Sequence, residues 1–171
     1  METWDAIRSR QNVRQFDERP VPTEVLDRAL EAGRRSPSSS NKQRWDFVVV
    51  TEPEILDELS EVWQGAGHVA RSTATIALIA PVESDPAVRE SIQYDLGQAT
   101  MSIMLAATDA GLGSGHAAVR DQDRAREVLG LPADRFCAWL IALGYPASGP
   151  LRPLETPKRR PFDEVVHREG W

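Results

Sequence analysis

Cysteine, histidine and aromatic residues are scarce in this chain, long apolar runs are missing, and each shortage excludes something. The single Cys137 cannot close an internal disulfide. Its setting, Phe136-Cys137-Ala138-Trp139-Leu140-Ile141, reads as a buried strand position rather than a nucleophile. The three histidines, His68, His116 and His167, have neither helical nor CxxC-like spacing, so no protein-built metal site is expected. No apolar run approaches the length of a membrane span, and the start, Met1-Glu2-Thr3-Trp4-Asp5, has neither the basic opening nor the apolar stretch of a signal peptide. A cytoplasmic protein without a membrane partner is therefore expected. A formal charge of −6 argues against general nucleic-acid binding.

What the chain does have is 171 residues, 41% of them hydrophobic, enough for one domain over residues 1–171 with one sizeable core. Its cations are concentrated in three islands: Arg8, Arg10 and Arg14; Arg34, Arg35, Lys42 and Arg44; and Lys158, Arg159 and Arg160. An acidic chain that keeps such islands either gathers them around a small anion or carries three solvated surfaces, and the sequence leaves both open.

Trp4 and Ile7 suit a short amphipathic helix, followed by an extended segment, Arg10 to Phe16, that anchors Val13 and Phe16 and points its cations elsewhere. Pro22 suits the first turn of a helix running to about Arg35, with Val25, Leu26, Ala29, Leu30 and Ala32 as its apolar face. Trp45 to Thr51 predicts a strand, Pro53 to about Gln64 a helix, and Thr73 to Ala80 a second strand, with His68 in or beside a turn. Asp85 as cap and Pro86 in the first turn open a long helix to about Ala110. Its set Ile92, Leu96, Ala99, Ile103, Ala106 and Ala110 is joined by Met101, Met104 and Leu105 in other directions, which predicts burial on more than one side: a subunit interface or a central core helix. Gly111 to His116 reads as a flexible turn without the Rossmann spacing. Asp121 caps a helix to Leu129, and Phe136 to Leu143 is a third strand.

The order of elements indicates an α+β fold with a mixed sheet flanked by helices. Residues 147–171 form a Pro-rich tail that still carries Phe162, Val165, Val166 and Trp171, so it is expected to wrap around a partner rather than hang free. The stretch Arg34 to Trp45 is unusual for a connector: four serines, an asparagine and four cations in twelve residues offer short donors in a positive field.

Together these stretches resemble the FMN-dependent nitroreductase family. The resemblance lies in Arg10-x-Asn12-x-Arg14-x-Phe16, Ser36-Pro37-Ser38-Ser39-Ser40-Asn41-x-Gln43-x-Trp45-x-Phe47, Gly111-Leu112-Gly113, Leu143-Gly144-Tyr145-Pro146 and Lys158-x-Arg160, in that order from about Ile7 to His167. It implies an intertwined homodimer that holds FMN at its interface, the tail wrapping the partner. Arg10, Gln11, Asn12 and Arg14 would form the first flavin-contacting segment, with Arg10 on the phosphate, Asn12 on the phosphate or ribityl chain and Arg14 near the N1 and C2 edge of the ring. Gln11 stands where the family more often has a second basic residue, and Asn12 where it more often has serine. Lys158 and Arg160 would complete the phosphate site. Pro37, Ser38, Ser39 and Asn41 would come from the other subunit, and the backbone at His116, Ala117 and Ala118 would lie along the ring. His68 falls near a further flavin-contacting position.

The implied activity is ping-pong: NADH or NADPH reduces FMN at N5, and a small electrophile such as a nitroaromatic or quinone then takes the electrons, with no catalytic side chain required. The chain is short around residues 82–90, where dehalogenating and flavin-dismantling relatives carry lid elements. The alternative from another class is a flavin-binding storage or sensor protein with little turnover.

Overall fold

The computed structural model describes all residues, Met1 to Trp171. In chain order it contains α1 (Thr3–Ser9), α2 (Thr23–Arg34), β1 (Asp46–Val50), α3 (Pro53–Ser60), β2 (Ala74–Pro81), α4 (Pro86–Asp109), β3 (Gly113–Ala118), α5 (Gln122–Leu129) and β4 (Arg135–Gly144), with single 3-10 turns at Ser39–Asn41 and Phe162–Glu164. The strands form one four-stranded sheet in the order β1-β2-β4-β3.

Every neighbouring pair in that sheet is antiparallel, which corrects the mixed sheet expected from the sequence. The one parallel pairing is an isolated bridge between Asn12 and Ser114. The expectation rested on strands separated by helices, but here the connections carry the chain to an antiparallel neighbour each time. A fourth strand, β3, occupies the stretch whose sequence suggests a turn, because Gly-Ser-Gly-His-Ala-Ala has no branched residue and little apolar bulk. Only Gly111, at φ 81°, keeps the turn conformation.

The two central strands are covered on both faces, so β2 is buried from Ala74 through Ala80 without the alternation of a half-exposed strand. On one face Ile76, Leu78, Ile141 and Leu143 pack with Leu26 and Ala29 of α2 and Ile92, Leu96 and Ile103 of α4. On the other, Ala77, Ile79, Leu140 and Ala142 meet Leu56 and Leu59 of α3 and Ala125 of α5. Cys137 belongs to this second layer, where burial pushes its thiol up to about 12 and leaves it no thiolate character near neutrality.

The helix boundaries follow the expected signals in most places. Asp85 accepts from the Ala87 N–H and Pro86 occupies the first turn of α4; Asp121 accepts from the Arg124 N–H at the start of α5. Pro22 is the cap of α2 rather than part of its first turn, and α3 stops at Ser60, short of Gln64, where successive turns take over.

The long helix α4 divides its apolar residues. Ile92, Leu96, Ala99, Ile103 and Met104 are buried in this chain, whereas Met101 is 48% exposed and Tyr94 72% exposed. Trp4, Ile7, Phe162, Val165, Val166 and Trp171 are exposed as well. From Leu151 on the chain has no strand or α-helix; it returns past α1, where the Leu154 N–H donates to the Arg8 carbonyl at 3.1 Å and Arg8 pairs with Glu155.

Because Ile103 packs between α2 and the sheet with no exposure, Ile103→Ala is expected to lower the unfolding free energy by about 2–5 kcal/mol. Urea denaturation checks this; a loss below about 1 kcal/mol would mean that the α2–α4 layer closes around the cavity.

Candidate functional site

Residues 10–17 leave α1 as an arm that lies on the open edge of β3 and the end of β4. The Val13 N–H donates to the Ser114 carbonyl at 2.9 Å, the Asp17 N–H to the Tyr145 carbonyl at 2.9 Å, and the Ala147 N–H to the Gln15 carbonyl at 3.1 Å. A methyl group at position 115 would stand 2.4 Å from the Val13 carbonyl oxygen, and one at position 113 would stand 2.6 Å from a Val13 methyl. The glycines of β3 therefore serve close approach of the arm, not chain reversal. Val13 and Phe16 are half-buried, while Asn12, Arg14 and Gln15 stay in solvent.

The arm brings several expected residues together. Arg14 is near enough to His68 for its charge, after desolvation, to oppose protonation of that imidazole, and His116 adds a smaller push of the same sign. His68 is only 4% exposed, its ring lies against Gly115, and its Nε2 has no partner. His116 stands exposed on β3 with its ring edge-on to Trp139, centroids 6.0 Å apart, and the Trp139 indole donates to Gln93 Oε1 at 3.2 Å. Because the Ser114 carbonyl faces the arm, the alternation of an edge strand turns the backbone groups of His116 and Ala118 to that same open edge. Ala117 is turned the other way and buried.

The cations sort themselves by whether they have an acidic partner. Arg8 pairs with Asp5 and Glu155, Arg34 and Arg35 with Glu31, and Arg160 with Glu164. The island at the end of α2 is thus a solvated, ion-paired helix terminus; its two arginines hold the Glu31 carboxyl down to about 2. Arg10 is different. Its Nη1 donates only to Asn12 Oδ1 at 3.1 Å, and partial desolvation, then the nearby charge of Arg159, lower its affinity for its own proton. Neither Arg10 nor Arg159 has a carboxylate within salt-bridge distance, and a small dianion is the kind of group that such guanidiniums can bind. Lys158 sits beside Arg159 without a carboxylate partner, whereas Arg160 is turned toward Glu164. The middle residue of Lys158-Arg159-Arg160 was passed over in the sequence. The composition of the run gave no way to choose among its members.

Pro37 to Gln43 forms a tight loop in which Ser40, Asn41 and Gln43 all take positive φ, at 50°, 54° and 50°. Such left-handed conformations cost non-glycine residues roughly 1–3 kcal/mol each and persist only where the surroundings enforce them. The Gln43 N–H donates to Ser38 Oγ at 2.9 Å, and the Ser39 N–H donates to the buried Asp95 of α4.

Asp95, near the middle of α4, receives the loop, while Asp109, the last residue of α4, receives the Met1 ammonium in front of α1. Their separation along the helix is about 21 Å at 1.5 Å per residue.

Sequence and fold comparisons agree on the class. The model of the nitroreductase family matches residues 7–145. The chain is 32% identical over 180 aligned positions to a Methanothermobacter thermautotrophicus protein named "Putative NADH dehydrogenase/NAD(P)H nitroreductase", covering 100% of this chain and 88% of that one. A crystal structure of the same description from Parabacteroides distasonis superposes with a TM-score of 0.83 at 28% identity, covering 100% of this chain and 99% of the other. At 24% identity, an FMN-dependent nitroreductase from Clostridium difficile shares the fold with a TM-score of 0.81, covering 98% and 99% of the two chains. The chain belongs to the nitroreductase family.

Burial holds the pKa of His68 below its ordinary 6.5, so as pH falls the unfolded chain takes up this proton before the folded one does. The contribution of His68 to stability is therefore intact above about pH 6.5 and is lost as pH falls from there toward the depressed folded value. Comparing urea midpoints at pH 7.5 and 5.5, His68→Gln is expected to reduce the acid-side loss; an unchanged difference between the two pH values would show that His68 titrates as it does in the unfolded chain.

Proposed function

We propose that the chain is an FMN-dependent NAD(P)H oxidoreductase that works as a homodimer, passing electrons to a small nitroaromatic, quinone or similar electrophile. The observation that carries this reading is the arm itself, laid on the open edge of β3 by the Val13–Ser114 bond, with Arg10 at its root bonded only to Asn12 and within electrostatic reach of Arg159. Around the same arm, the buried Ser114 Oγ and His68 Nε2 lack partners, so polar groups are available along the path from the phosphate end to the ring end. The donor set fits a flavin mononucleotide: cations for a phosphate, Asn12 and Gln11 for a hydroxylated chain, and an open strand edge for a flat ring.

When bound, FMN supplies the two-electron chemistry, accepting hydride from NADH or NADPH and giving electrons to the second substrate in ping-pong order. The protein's part is placement and electrostatics. Arg10 and Arg159, helped by Lys158, hold the phosphate and so fix the distance of the ring from the arm's root. Arg14 sets a permanent cation near the ring edge where negative charge develops, which favours reduction. His68, kept neutral by burial, supports Gly115 and the strand edge without adding a second charge beneath the ring. The backbone at His116 and Ala118 flanks the ring. Pro37, Ser38, Ser39 and Asn41 come from the second copy. Residues 1–171 act as one flavin-binding domain. The exposed Tyr94 and Met101 of α4 form the shared face, and the apolar end of the tail packs on the partner.

The purified protein should be yellow, and NADH or NADPH should bleach it anaerobically. A colourless protein that gains no flavin absorbance on incubation with FMN would overturn the proposal, and a yellow one that neither donor bleaches would be a flavin carrier. Arg10→Glu is expected to weaken FMN binding about 10- to 100-fold by replacing a charge-assisted contact with a repulsion, while Arg34→Ala, in the ion-paired island, leaves it unchanged. Met101→Glu should shift light scattering toward monomer and release flavin in parallel; a monomer that keeps FMN would contradict the shared site.

A further inference from the structure

Asp95 stands apart from the other acidic residues of the chain. It lies on α4 at 2% exposure and pairs with no lysine, arginine or histidine; both of its carboxylate oxygens accept from the single Ser39 N–H, at 3.0 and 3.1 Å. Burying a carboxylate with so few donors opposes folding, so a neutral residue would suit the bare stability of α4 better. The element it grips is the most strained in the molecule, with Ser40, Asn41 and Gln43 all left-handed.

The other bonds of the loop do not hold its apex to the body. Ser36 Oγ donates to Ser102 Oγ at 2.8 Å, which fixes only the entry. The bonds from Gln43 to Ser38 and Asn41 close the loop on itself. The Asp95–Ser39 bond is the hydrogen bond that fastens the strained turn to α4.

We propose that Asp95 is the positioning residue of the flavin-facing serine loop: its buried carboxylate holds the Ser38–Gln43 turn, left-handed at Ser40, Asn41 and Gln43, so that Ser39 and Asn41 face the flavin of the second copy. This rests on the proposed flavin site for its purpose, and on the hydrogen bonding of the free chain for its mechanism. The side chain never touches the ring; it acts through the Ser39 backbone.

The test measures amide hydrogen exchange and FMN affinity on the full-length protein. In the flavin-free wild type, the Ser39 amide should exchange at least about tenfold more slowly than that of Ser40, although both lie in an exposed loop. Asp95→Ala should remove that protection, leave sheet amides such as Ile141 protected, and weaken FMN binding about tenfold; Asp95→Asn, which keeps an acceptor oxygen, should restore both. Arg10→Glu should lose FMN with the Ser39 amide still slow, which separates failure of the tether from failure of the phosphate site. Unchanged loop exchange in Asp95→Ala overturns the proposal, as does a loosened loop with undiminished FMN affinity. Should Asp95→Ala not fold, the wild type decides, since equal exchange at Ser39 and Ser40 overturns it. If wild-type protein binds no FMN, the flavin reading fails on its own, and the exchange data still report the tether.

Discussion

The contact on which the rest of the candidate site depends is the hydrogen bond from the Val13 N–H to the Ser114 carbonyl, with Gly113 and Gly115 bare beneath it. That bond sets the register of the arm on β3. With the register set, Val13 faces the strand, Arg14 faces solvent above His68, and Arg10 remains at the root beside Arg159. Shifting the arm by one residue would exchange the anchored and exposed side chains and dissolve the arrangement. The glycines thus do positive work in the site, although neither has an unusual φ.

The second constraint is length. A helix of 24 residues runs along the molecule with the serine loop fastened at Asp95 near its middle and the N-terminus bonded to its last residue, Asp109. The same helix presents Tyr94 and Met101 to solvent on the side that its own sheet does not cover. That exposed side is the face on which the proposed second copy would pack.

Most of the architecture was legible in the sequence, for identifiable reasons. The buried strands β2 and β4 and the helix α4 announce themselves through apolar runs, an Asp cap and a Pro in the first turn, all local signals that tertiary packing reinforces. Strand β3 was not legible, since Gly-Ser-Gly-His is selected by what lies on top of it and the arm that lies there is about one hundred residues away in sequence. The antiparallel sense of the sheet was likewise a property of connections. Among the site residues, the arm was found through its alternation and its order with the other motifs. The choice of Arg159 over Arg160 beside Arg10 depends on Glu164 capturing Arg160, a contact that no motif encodes.

Charge distribution ties these features to chemistry. In a chain with net charge −6, half of the arginines find carboxylates close by, and such exposed pairs are worth little and are screened within about 8 Å at physiological ionic strength. Arg10 and Arg159 are among the arginines without one, and the fold brings their segments together: Arg10 follows directly on α1, and the tail is bonded to α1 at Leu154 and Glu155 just before its basic run. Repulsion between them is a standing cost of the fold that a bound dianion would remove. The acidic remainder of the surface would meanwhile discourage polyanions, which need an extended basic track rather than a single point of attachment. An acidic surface with a small basic cluster at the root of the arm suits the small phosphate proposed above better than nucleic acid.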